Sequence, residues 1–133
     1  MKTLKPADFL RISLAIIYIW FGILKPFGVS PAAGLVESSI FWWDASWFVP
    51  VLGLGEVLIG IALLFKKLNK VSAVLLILHM IGASLTPIVL NTGAVFSSFP
   101  HILTLEGQYI IKNLLIVGTA YLLWDGAEKK IKK

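Results

Sequence analysis

The chain contains no cysteine. It therefore performs no thiol chemistry, and it holds neither a disulfide nor a thiolate-bound metal. Charge is scarce as well. Only 14% of the 133 residues are Asp, Glu, Lys or Arg, against about 25% in a soluble domain. There is no Gly-rich phosphate loop, no HExxH and no Ser-His-Asp arrangement placed to act. The two histidines, His79 and His101, stand on different segments, and no metal site is expected of them. What remains is apolar: 58% of the residues are hydrophobic and the mean hydropathy is +0.89. A water-facing surface cannot be built from this composition. The length bounds the chain to a single domain over residues 1–133. Four membrane spans of about 20 residues each would consume most of it and leave no room for a separate soluble domain.

The net charge of +5 does not indicate nucleic acid. Lys2, Lys5, Arg11, Lys66, Lys67, Lys70, Lys129, Lys130, Lys132 and Lys133 lie at three places between or beyond the apolar runs. With four spans, all three places fall on one side of the bilayer. That is the positive-inside pattern, which places both termini and the Lys66–Lys70 loop in the cytoplasm of a multi-pass cell-membrane protein. Lys2 and Lys5 before an apolar stretch also suit a signal peptide, and Ser30-Pro31-Ala32-Ala33-Gly34 offers small residues downstream. The run contains Trp20 and ends in Lys25-Pro26, so it reads as a retained first span.

The apolar runs predict an all-α membrane protein, a four-transmembrane-helix bundle with spans at about 9–25, 47–65, 71–90 and 104–124. Pro26 ends the first run. In the connection that follows, Ser30 as N-cap and Pro31 at the first helical position predict a short helix to about Ile40. Phe41, Trp42, Trp43, Trp47 and Phe48 crowd behind it, which places this helix at the outer interface. Pro87 should kink or end the third span locally. Residues Asn91 to Leu103 read as an outer loop rich in Gly, Ser and Phe, and Thr104 as the cap of the fourth span, with Glu106 favourable in its first turn.

The polar residues inside the runs carry most of the information. Arg11, Tyr18 and Lys25 recur at i, i+7 and i+14; Gly53, Glu56 and Gly60 share a face of the second span. Ser72, His79, Ala83 and Thr86 do so on the third, and Gln108, Lys112, Leu115 and Thr119 on the fourth. Such spacings put side chains on one helical stripe, and polar stripes are expected to meet inside the bundle. Counted inward from the outer ends, Glu56 lies about 13 Å deep, Lys112 about 12 Å and His79 about 16 Å. An unpaired charge there costs at least about 2.5 kcal/mol. The expected site is therefore a polar intramembrane pocket of Glu56, His79, Gln108, Lys112 and Tyr18, with Glu56 paired to Lys112. Lys25 and Glu106 form the expected outer-end ion pair, with snorkelling of Lys25 as the alternative. Such a cluster either binds a ligand or proton or only fixes helix register.

Arg11 with Phe21-Gly22-Ile23-Leu24-Lys25, Gly55-Glu56 through Gly60, His79-Met80, and Thr104-Leu105-Glu106-Gly107-Gln108-Tyr109-Ile110-Ile111-Lys112-Asn113 together resemble the DoxX-like family of small membrane proteins, over about Arg11 to Trp124. The last motif is the most specific. The resemblance implies a four-helix membrane bundle. The group includes the DoxD-type subunit of thiosulfate:quinone oxidoreductase, members of membrane oxidative-stress complexes, and an animal branch that acts in receptor assembly. It carries no catalytic residue over to this chain. The leading expectation is an accessory subunit of a membrane redox system, not catalytic by itself, with a quinone as the bound amphipathic molecule. Its partners would be the lipid bilayer, a redox partner subunit or a second copy. Two further classes stay open: a small-molecule or proton transport protein, and an assembly protein with a purely structural ionic core.

Overall fold

The computed structural model describes residues 3–132, so Lys2 and Lys133 of the basic ends lie outside the described residues. Four helical stretches are long and apolar enough to cross a membrane: Pro6–Leu24, Ala45–Leu63, Lys66–Leu90 and Leu105–Lys130. The chain is an all-α membrane bundle of four spans. Its first span is α1 (Pro6–Leu24), with Pro6 at a helical N-terminus where its missing N–H costs nothing. A short helix α2 (Ala33–Ser39) follows in the connection to the second span. It starts two residues later than Pro31, where Ser30 Oγ accepts from Ala32 N at 3.3 Å in a turn. Asp44 then caps α3 (Ala45–Leu63) by accepting from Ser46 N at 2.9 Å.

The third span is interrupted. A 3₁₀ turn (Lys66–Leu68) leads into α4 (Asn69–Met80), then a π turn (Ile81–Leu85), then α5 (Thr86–Leu90). Pro87 supplies no N–H to the preceding turn, and the helix widens just before it. Within the Asn91–Leu103 loop lie a helical turn α6 (Thr92–Val95) and a small antiparallel hairpin of β1 (Phe96–Ser98) and β2 (Ile102–Leu103). Thr104 caps α7 (Leu105–Lys112), its hydroxyl accepting from Gly107 N at 3.0 Å. After a tight turn at Asn113 the span continues as α8 (Leu114–Ile131).

Helix α1 lies along α3, and α4 along α8; α1 also touches α8, while α3 and α4 meet over a shorter stretch. The core, at the basic half of the bundle, is built from Leu14, Ala15, Ile59, Leu63, Ala73, Leu76 and Ala120. The large apolar side chains that stay exposed, such as Leu58, Leu78 and Leu115, would be out of place in water and suit lipid. At the basic end, buried Arg11 donates to the carbonyl of Leu63 and to Asp8 Oδ1 at 3.4 Å, and Lys66 reaches Asp8 Oδ2 at 2.7 Å. These contacts tie α1 to the end of α3. Lys70 pairs with Glu128 and stands 4.5 Å over the Trp124 ring, tying α4 to α8.

Candidate functional site

Glycines set the distance between α1 and α3. A Cβ on Gly22 would lie 2.6 Å from the Gly53 carbonyl oxygen and 2.9 Å from Val57 N, and one on Gly60 would lie 2.6 Å from Ile19 Cγ1. Only glycine allows backbones this close. The contact sets Lys25, three residues beyond Gly22, against Glu56, three residues beyond Gly53.

Lys25 Nζ donates to Glu56 Oε2 at 2.6 Å, and both residues are buried, at 6% and 8% exposure. The other carboxylate oxygen, Oε1, lies 3.0 Å from His79 Nε2, and His79 Nδ1 lies 2.9 Å from the Tyr18 hydroxyl. An ionised carboxylate only accepts. His79 Nε2 therefore carries the proton towards Glu56, which makes Nδ1 of a neutral imidazole the acceptor and the Tyr18 hydroxyl the donor. The tautomer follows from the partners. Tyr18 and His79 also meet edge to face, with ring centroids 5.4 Å apart. One line of hydrogen bonds thus runs from Tyr18 through His79 to Glu56, where Lys25 meets it from the other side.

Lys25, Glu56 and His79 form one side of a cavity of about 400 Å³ between α3 and α4, in the half of the bundle away from the basic end. Helix α2 and the Trp42-Trp43 turn roof it, Leu52 and Phe48 wall it from α3, and Ala83 and Pro87 from the third span. Trp42, Trp43, Leu78 and Gly82 line the cavity and are also exposed, so it opens sideways where acyl chains would lie. Among the described residues, the Lys25 ammonium has one hydrogen-bond partner, Glu56. A lysine has three N–H donors, so two remain for a guest. His79 has no ring nitrogen to spare.

The structure brings Tyr18, Glu56 and His79 together and keeps Gln108 and Lys112 apart from them. Both stand exposed on α7, and the Lys112 ammonium rests 5.4 Å from the Tyr109 ring centroid. Lys25, expected on Glu106, is instead the partner of Glu56, and Glu106 is exposed. Helix direction explains the Lys25–Glu56 pairing, and helix face the separation of Lys112. Side chains lean towards the N-terminus of their own helix. Helix α1 begins at the basic end, so the Lys25 side chain leans back towards that end; α3 begins at the opposite end, so Glu56 leans the other way, to meet it. The Lys25 Cβ packs at Gly53 and the Glu56 Cβ at Gly22, so the two residues stand about 5 Å apart in level, roughly three residues of helix rise, a gap that the two side chains span. Helix α7 begins at the same end as α3, so Lys112 leans the same way as Glu56; it misses Glu56 because it stands on the exposed face of α7. The i, i+7, i+14 spacing of Arg11, Tyr18 and Lys25 was the signal that Lys25 belongs to the inner stripe. The small residues marked it too, through Gly22 and Gly53.

Among the described residues no group of three His, Asp or Glu side chains is placed to hold a metal ion. Neither the curated proteins nor the solved structures gave a match to this chain. The family model described as DoxX matches residues 7–87, a stretch that contains Tyr18, Lys25, Glu56 and His79 and stops before the Thr104–Asn113 motif. With that match over more than half of its length, the chain belongs to the DoxX family.

Proposed function

We propose that this protein is an accessory subunit of a membrane redox system, not catalytic by itself, that holds a quinone-like amphipathic molecule in the cavity between α3 and α4. The observation that carries the reading is the buried Lys25 ammonium, with two donors unused, at the edge of a largely apolar and aromatic chamber. A carbonyl oxygen of the head group would accept from Lys25. Glu56 holds the ammonium in place, and His79 and Tyr18 hold Glu56. The ring would lie among Trp42, Trp43 and Phe48, and the tail would leave past Leu78 and Gly82 into lipid. The volume falls within the range of about 300–1,000 Å³ usual for small-molecule sites, which also combine apolar walls with few polar groups.

The layer below the cluster speaks against a route through the membrane. Ala15, Leu63, Ala73 and Leu76 are fully buried between it and the basic end, with the Ser72 hydroxyl among them, so the layer is mostly apolar and offers no ionisable group to carry a proton onwards. A purely structural ion pair would need no chamber beside it. The basic residues favour a cell-membrane orientation with the termini and the Lys66–Lys70 loop in the cytoplasm, so that the cavity lies in the outer leaflet.

The test is titration of the protein in lipid nanodiscs with ubiquinone-1, read by quenching of tryptophan fluorescence. Quenching is expected to saturate, and Lys25→Met should weaken the apparent affinity roughly 10- to 100-fold, the worth of a hydrogen bond from a charged donor. Unsaturable quenching, equal in the two proteins, would mean that the quinone only partitions into lipid.

A further inference from the structure

We propose that the outward face of the fourth span is the docking site for a transmembrane helix of a different protein, one that carries a carboxylate at the level of Lys112. Leu105, Gln108, Lys112, Leu115, Thr119 and Leu122 follow one another at spacings of three and four residues, the spacing of a seam between two packed helices. The face is turned away from the bundle: Gln108 and Lys112 are exposed, and Leu105 and Leu115 are 63% and 75% exposed.

Leucines on that face suit lipid, but Gln108 and Lys112 do not. Among the described residues Lys112 makes no ion pair, and its ammonium has the Tyr109 ring beside it. Glu106 of the same chain, six residues earlier, stands on a different side of the helix. The Lys112 Cα lies about 12 Å below the outer end of the span. Ionisable groups at such depth are rare on lipid-facing surfaces and pair with one another where they occur. A partner carboxylate would neutralise Lys112, and Gln108 one turn above it could hydrogen-bond across the same seam.

A second copy of this chain is a poor occupant. Two copies inserted in the same direction would bring Lys112 against Lys112 along a seam in which each residue meets its own equivalent. Charge complementarity selects a partner of opposite sign. This inference does not depend on the cavity, which lies against the other side of the third span.

The experiment uses a fluorescently labelled, Leu-rich transmembrane peptide with a single Glu set about 12 Å below its outer end, reconstituted with the donor-labelled protein in liposomes. A second peptide has Leu in place of the Glu. Energy transfer should show the Glu peptide associating about tenfold more tightly than the Leu peptide, in keeping with a polar contact between membrane helices. Lys112→Met should abolish that preference and Lys112→Arg should keep it. Equal association of both peptides would overturn the proposal. So would self-association of the protein that Lys112→Met alters, because a second copy would then occupy the face.

Discussion

If Lys25 and Glu56 form a buried pair, their substitutions cannot have independent effects. Glu56→Gln leaves a lysine ammonium at 6% exposure without a counter-charge, and removing one member of a buried pair costs about 3–5 kcal/mol. Lys25→Met should cost less. It removes one charge-assisted hydrogen bond, about 2–3 kcal/mol, but Glu56 keeps its contact with His79 Nε2 at 3.0 Å. The double substitution puts a neutral amide beside an apolar side chain and should recover more than about 1 kcal/mol of the summed loss, since replacing both members of such a pair can be nearly neutral. The control is Glu56→Gln with Lys112→Met. The structure separates these residues, so their effects should add to within about 0.5 kcal/mol. Unfolding by SDS titration in dodecyl maltoside micelles, followed by circular dichroism, measures all the free energies on one scale. Additive effects of Lys25→Met and Glu56→Gln would refute the pair. Coupling between Glu56 and Lys112 would mean that α7 turns its charged face inwards, and the docking face would be lost with it.

Two further outcomes test the frame around the site. Gly22→Ala sets a Cβ 2.6 Å from the Gly53 carbonyl oxygen, a backbone atom that cannot yield. It should cost about 1–3 kcal/mol, as overpacking does, and the forced separation of α1 and α3 should lower ubiquinone-1 affinity. Gly118→Ala meets nothing within 4 Å and should instead stabilise α8 by up to about 1 kcal/mol; equal effects of the two in the same SDS titration would deny the close helix contact. For orientation, cysteines placed singly at Lys67 and Ser97, both exposed, can be treated with a membrane-impermeant thiol reagent on intact cells. Ser97→Cys should label and Lys67→Cys should not, and the opposite pattern would invert the assigned topology.

The architecture was legible because lipid imposes simple demands. A span must be apolar for about 20 residues and must satisfy its own backbone, so run lengths, the absence of surface charge and the three basic clusters announce four helices with little help from packing. The caps were local chemistry too, and Thr104 holds the N-terminus of α7 as its side chain requires. The small hairpin after α6 was not visible, since Phe96–Ser98 and Ile102–Leu103 are too short to show a strand alternation.

Taken alone, the sequence placed Tyr18, Lys25, Glu56, His79, Gln108 and Lys112 on helical stripes, because periodicity follows from the backbone. It did not determine which stripes meet. Which charges pair was decided in the tertiary structure, by two things that no single stripe contains. One is the close approach at Gly22 and Gly53, which makes α1 and not α7 the neighbour of Glu56. The other is the direction and rotation of each helix, which lean Lys25 and Glu56 towards one another until they touch and leave Lys112 over Tyr109 on the exposed face of α7. Depth along a helix belongs to one segment, whereas contact belongs to two. The fourth span's polar stripe could therefore be read from its spacing and still face away from the bundle.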